Sequence, residues 1–240
     1  MRTASPQGES GGTERTLYRL EDGAPLNEGI RRVAREELEA AVSALCGRGD
    51  LHDALHDARK RLKKVRAVLR LVRDDIGDGR YRAENVFYRD RGRDLAGVRD
   101  ARVAVETLDA LRSRYVRELG VDPFAVPGRR LARRFEDLSR RHLEQERRHE
   151  HVAAALESSL RRVEEWPVCE DRFETIAPGL RRVYARGRRS RRNAAADPTL
   201  ERCHEWRKRV KYLWYHVRLL EGAWPEVLGG LADSIHEFRT

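Results

Sequence analysis

The sequence predicts an all-α protein made of two repeated helical units, the second incomplete at its C-terminal end. Three observations predict it. Apolar residues recur at steps of three and four through most of the 240-residue chain, the period of a helix that buries one stripe. Gly and Pro fall mainly between those segments, and no alternating β-branched run marks a strand. One pattern occurs twice, 148 positions apart: His56-Asp-Ala-Arg59-Lys60-Arg61-Leu-Lys63-Lys64 and His204-Glu-Trp-Arg207-Lys208-Arg209-Val-Lys211. The register continues without a gap into Arg70-Leu71 and Arg218-Leu219.

Each element follows from local signals. Met1 to Thr16 is rich in Gly, Ser and charge and has no apolar signal core, which predicts a disordered tail, with the N-terminal segment extended to residue 25. Asn27 to Cys46 predicts a first helix, stopped by Gly47. Asp50 is placed to cap a second, running to about Asp75 and ended by Gly77 and Gly79. Tyr81 to Leu95 and Arg99 to Val116 predict a third and a fourth, with Gly97 as the point where they join. Pro123 to Gly128 is a break, and Arg129 to Trp166 predicts one long, highly charged helix stopped by Pro167. The chain then restarts, since Gly179-Leu-Arg-Arg-Val183 repeats Gly29-Ile-Arg-Arg-Val33. Pro198 precedes a second basic helix, Leu200 to Leu220, and a last helix begins near Pro225. The helical domain is therefore 26–240, with repeat one at about 26–150 and repeat two at about 173–240. In this register Thr240 stands opposite Gly92, and counterparts of Arg93 to about Arg148 are missing. The expectation is a native chain that extends past Thr240 and a last helix with little cover.

The two basic helices carry the chemistry. Leu55, Ala58, Leu62, Val65, Leu69 and Val72 form an apolar stripe. One residue on, about 100° around the axis, runs a row of His56, Arg59, Lys63, Arg66 and Arg70. The second copy sets Cys203, Trp206, Val210, Leu213, Val217 and Leu220 beside His204, Arg207, Lys211, Trp214 and Arg218. A basic row bordering the buried one can lay its stems on apolar neighbours and hold its charged heads over a groove. From Leu55 to Arg73 there are eight Arg or Lys against one acid, Asp57. Like charges four apart destabilise a helix by about 0.2–0.5 kcal/mol per pair, so such a stack calls for an anion to offset it.

The rest of the composition agrees. The formal charge is +10, with Arg dominating the basic residues, whose planar fork suits bidentate contact with phosphate. Cys46, Cys169 and Cys203 form neither a disulfide framework nor a zinc spacing, which points to a reducing cytoplasm. No apolar run approaches the length of a membrane span.

These motifs resemble the conserved-histidine α-helical domain (CHAD) family, whose members bind inorganic polyphosphate. The family's first His-x-x-Arg with its following basic residues matches His56, Arg59, Lys63, Lys64 and Arg66, and its Leu-x-x-x-Arg-Asp element is similar to Leu95-Ala-Gly-Val-Arg99-Asp100. The second His-x-x-Arg-x-x-x-Lys followed by an aromatic matches His204, Arg207, Lys211 and Tyr215. The likeness covers roughly Leu26 to Arg239. Trp214 departs from it, standing where symmetry with Arg66 asks for a cation, and the second Leu-x-x-x-(His/Arg)-Asp element is absent. The resemblance implies two four-helix-bundle-like repeats related by pseudo-twofold symmetry, with a basic groove or cavity between them that binds polyphosphate without catalysis or cofactor. Its role would be targeting to polyphosphate granules or regulation of polyphosphate metabolism. The residues expected on the polymer are His56, Arg59, Lys60, Lys63, Lys64, Arg66, Arg70, Arg99, His204, Arg207, Lys208, Lys211, Tyr215 and Arg218. Arg181 to Arg192 packs seven arginines without an acid, and in the family register Arg182, Arg186 and Arg189 face the groove.

Two other readings stay open. A helical nucleic-acid binder would use the same cations, against which stands the shortage of free aromatics for base stacking. A metal-dependent phosphohydrolase would use His52, Asp53 and His56, two imidazoles on one helix face with a carboxylate between them. It lacks an equivalent pair around His204.

Overall fold

The computed structural model describes residues 18–21, 23–119, 121–168 and 171–239, the last two without their side chains. The expected tail, Met1 to Thr16, and Cys169 lie outside the described residues. Every regular element among the described residues is a helix, as predicted. In chain order these are α1 (Leu26–Cys46), α2 (Leu51–Leu71), α3 (Arg73–Ile76), α4 (Asp78–Asp94) and α5 (Ala96–Leu119). Then come α6 (Ala125–Ser139), α7 (Arg148–Glu164), α8 (Ala177–Ala196), α9 (Leu200–Leu220) and α10 (Pro225–Arg239).

The chain forms two compact units that cut across the sequence repeats. A terminal unit takes the chain up to Glu37, Lys64–Ala83 and everything from Val163 onward; a middle unit takes Leu38–Lys63 and Glu84–Arg162. Helix α1 buries Ile30, Val33, Ala34, Leu38, Ala41 and Leu45; α2 buries the first five residues of its predicted stripe, and the sixth, Val72, is buried just past its end. The core of the terminal unit adds Trp166, Ile176, Val183, Tyr215, Val217 and Leu219; that of the middle unit adds Tyr88, Leu95, Val98, Val152 and Leu156.

Several boundaries differ from expectation. The N-terminal segment is ordered well before residue 25: Tyr18 is buried, and Leu20 N donates to the Leu219 carbonyl at 2.8 Å. Helix α2 stops at Leu71, and Gly77, at φ 81°, supplies the left-handed turn before α4, which absorbs Gly79. Pro127 and Gly128 do not break the chain but lie in the first turn of α6, where a missing N–H costs nothing. The single long helix expected from Arg129 to Trp166 is two. A π-helical turn, Arg140–Gln145, closes with Glu146 N donating to the Arg141 carbonyl, five residues back, and Arg147 at φ 46° redirects the chain into α7. Helix α10 buries Ala232 but leaves Val227 and Leu231 exposed.

Candidate functional site

In the middle unit, the first turns of α2 and α5 carry the first basic motif. Asp50 accepts from Asp53 N at 2.9 Å, which caps α2 as predicted; that bond, followed by the Arg102 guanidinium, holds its carboxyl below the usual range. Arg102 reaches from α5 to Asp50 at 3.1 Å and to Glu106 at 2.8 Å. Arg59 pairs with Asp100 at 3.4 Å, and Arg99 with Glu106 at 3.3 Å. His56 stands exposed among these groups. Partial desolvation, then Arg99, Lys60 and Lys63, push its imidazole below its ordinary value, so it is neutral at pH 7. Arg99 of the Leu95–Asp100 element thus lies close enough to His56 for its charge to act on the ring. Lys63 is exposed, and Lys60 lies 3.8 Å from Asp57.

The same surroundings bear on a metal. His52 packs its ring on Phe135 at 4.8 Å, and desolvation and Arg102 lower its pKa. A pair of imidazoles ringed by Arg99, Arg102, Lys60 and Lys63 repels a cation. Among the described residues no group of three or more His, Cys, Asp or Glu is arranged to hold one.

In the terminal unit, the second half of α2 meets α8 and α9. Gly179 makes the approach possible: a Cβ there would lie 2.0 Å from the Leu71 carbonyl oxygen, so α8 crosses α2 backbone to backbone. On α9, buried His216 donates through Nε2 to the Ala67 carbonyl at 2.9 Å, a bond that fixes the tautomer. Beside this contact the Arg70 guanidinium lies over the Tyr212 ring at 4.1 Å from its centroid. The end of the first basic row and the middle of the second basic helix therefore share one surface.

Arg186 of α8 lies at the centre of that surface's charge. Partial desolvation, then Arg209 of α9, Arg73 of α3 and Arg182 of its own helix, depress its pKa. Three of these four guanidiniums have carboxylates: Arg73 pairs with Asp78 at 2.7 Å, Arg182 with Asp74 and Arg209 with Glu205. Arg186 and Arg189 make no ion pair among the described residues. Neither do His204 and Arg207, which stand exposed on the first two turns of α9, while Lys208 pairs with Glu205 at 2.9 Å. Arg66 and Lys211 are half-buried at the margin of the interface, as the rows predicted.

Two predicted residues, Lys64 and Tyr215, do not reach solvent, and a third, Arg218, is engaged by a carboxylate. Lys64 is buried, its ammonium 2.9 Å from equally buried Glu37 and 5.0 Å from the Tyr18 ring centroid. It sits one step round the helix from Lys63, on the buried side. Tyr215 is a core residue, edge-on to Tyr18 at 6.0 Å. Arg218 is half-buried and pairs with Glu221. Two residues absent from the expected set belong to the surface. Arg73 was legible, since the row at 63, 66 and 70 continues by three to 73. Arg209 was not, because only the packing of α8 on α9 brings it beside Arg186.

The CHAD domain family model matches residues 27–240. The chain belongs to the CHAD domain family. Comparisons with curated proteins and with solved structures found no match. The match spans both basic motifs and every helix described above except the first residue of α1. No helix among the described residues is long and apolar enough to cross a membrane.

Proposed function

We propose that this CHAD protein binds inorganic polyphosphate through the arginine surface of its terminal unit and the His56–Arg99 surface of its middle unit, without catalysing a reaction. One observation carries the reading: Arg186 lies within reach of the charges of Arg209, Arg73 and Arg182 and makes no ion pair among the described residues. Such a cluster is unfavourable until an anion arrives. The ion pairs around it are surface pairs worth about 0–1 kcal/mol each, which a phosphate chain can displace. Each charge-assisted phosphate contact contributes roughly 1.5–3 kcal/mol before desolvation. A flexible polyanion with a charge on every unit makes many such contacts at once. The residues assigned to it are His56, Arg59, Lys60, Lys63 and Arg99 in one unit, and Arg66, Arg70, Arg73, Arg182, Arg186, Arg189, Arg207, Arg209 and Lys211 in the other. The physiological role that fits is recruitment to polyphosphate granules in the cytoplasm or regulation of an enzyme of polyphosphate turnover.

The test is titration of wild type and Arg186→Ala/Arg189→Ala/Arg207→Ala with polyphosphate of defined length. The variant is expected to bind at least tenfold more weakly. A variant that binds as tightly as wild type contradicts the assignment.

A second reading, nucleic-acid binding, rests on Tyr184, which is exposed on α8 with the Arg188 guanidinium 5.9 Å from its ring centroid. One such aromatic is a thin stacking platform, and the other large aromatics of α9, Trp206, Tyr212 and Trp214, are at least half-buried.

A further inference from the structure

Helix α6 of the middle unit carries a cluster of cations outside both basic motifs. Arg130, Arg133, Arg134 and Arg141 line a cleft of about 390 Å3 whose only acid is Asp137. Asp137 is already engaged by Arg140 at 3.0 Å. All four cleft arginines are exposed, and none makes an ion pair among the described residues. On neighbouring α5, by comparison, Arg99, Arg102 and Arg112 each hold a carboxylate, while Arg114 and Arg117 do not line this cleft. Spacings of three and four along α6 keep Arg130, Arg133 and Arg134 on one side of the helix, and Arg141 joins them in the cleft from the π-helical turn that follows. Leu131 and Phe135, both half-buried, mark the packed side, Leu138 lines the cleft itself, and a Cβ on Gly128 would meet Leu108 of α5 at 3.5 Å.

The cleft adjoins the elements that carry the first motif. Phe135 packs on His52, one turn before His56 on α2. The His142 ring, next to Arg141, lies 3.6 Å from where a Cβ on Gly97 would stand, two residues before Arg99. Four unneutralised guanidinium forks in line, beside a surface already assigned to phosphate, favour the same chemistry repeated along a chain.

We propose that the Arg130–Arg133–Arg134–Arg141 cleft is a second anion subsite, which takes phosphate groups of a long polyphosphate chain beyond those held at the His56–Arg99 surface. This rests on the polyphosphate reading above and adds a chain-length preference to it. Within the middle unit, short chains fill the His56–Arg99 surface alone; long chains engage it and the cleft together and gain avidity.

The experiment titrates wild type and Arg130→Gln/Arg133→Gln/Arg134→Gln/Arg141→Gln with tripolyphosphate and with chains of about one hundred phosphates. Gln keeps helix propensity while removing charge. The variant is expected to lose at least tenfold for the long chain and less than twofold for tripolyphosphate. Its log-affinity against log-salt slope for the long chain should fall by about 3, from four lost contacts. Single Arg134→Gln and Arg141→Gln variants, each expected to lose two- to threefold for the long chain, carry the test if the quadruple variant misfolds. Arg114→Gln/Arg117→Gln, elsewhere in the same unit, is expected to stay within twofold. Unchanged long-chain binding, equal loss for both chain lengths, or the same loss in the control overturns the subsite. A wild type that binds neither probe overturns the polyphosphate reading as well, which separates the two failures.

Discussion

Lys64 and His216 are single residues whose surroundings decide what they do. Lys64 is 5% exposed and Glu37 1% exposed, so each charge depends on the other. Removing one partner strands the other in a medium that cannot solvate it. Lys64→Met is expected to cost about 3–5 kcal/mol in urea unfolding, and Lys64→Met/Glu37→Leu to recover most of that. A Lys64→Met protein of wild-type stability but weaker polyphosphate binding would return Lys64 to the site. His216 is buried, which lowers its pKa to about 4 despite the bond to the Ala67 carbonyl, which acts the other way. The folded state therefore favours the neutral ring and the unfolded state takes up the proton first. The stability this ring contributes is complete above about pH 6.5 and is lost as pH falls from there to about 4, some 3 kcal/mol by the usual conversion. His216→Gln should flatten this segment of the stability–pH curve measured in urea; an unchanged curve would mean that other groups set it.

At the scale of elements, Gly179 decides whether α8 can lie on α2. A Cβ there would meet carbonyl oxygens of Leu71 at 2.0 Å and Arg70 at 2.7 Å, atoms of a helix backbone that cannot step aside. Gly179→Ala is expected to lower stability by more than about 3 kcal/mol, in the severe class, and to weaken polyphosphate binding with it; a wild-type melting temperature would contradict the backbone crossing. Other elements show what periodicity can and cannot reveal. The stripe of α2 was fully legible, since Leu55 through Val72 are all buried. The matching stripe of α9 names an apolar face, yet Cys203 is exposed and Trp206, Val210 and Leu213 are only half-buried. Apolar spacing tells which face prefers cover, not what the chain packs against it. The break between α6 and α7 was invisible for a related reason. Arg140 to Glu150 contains no Gly or Pro, and a π turn followed by a left-handed Arg147 leaves no compositional mark. Glu37, partner to Lys64 from 27 residues away, is the same kind of blind spot.

For the molecule as a whole, a formal charge of +10 attracts any polyanion, so affinity alone does not identify the ligand. Binding is expected to fall steeply with salt for polyphosphate and nucleic acid alike. What separates them is fit. The terminal unit's cations stand in a short cluster about Arg186, with Tyr184 exposed on the same helix, suited to a slender chain bearing charge on every unit. A duplex holds its phosphates on two rails that such a cluster meets only in part. Of the two basic helices the repeat marks out, Arg70 at the end of the first row meets Tyr212 of the second helix. The most direct measurement is a competition titration with long-chain polyphosphate bound to the wild-type protein at physiological salt. The account predicts that duplex DNA at equal phosphate concentration leaves the polyphosphate in place; displacement of the polyphosphate by DNA, or no polyphosphate binding to displace, would contradict it.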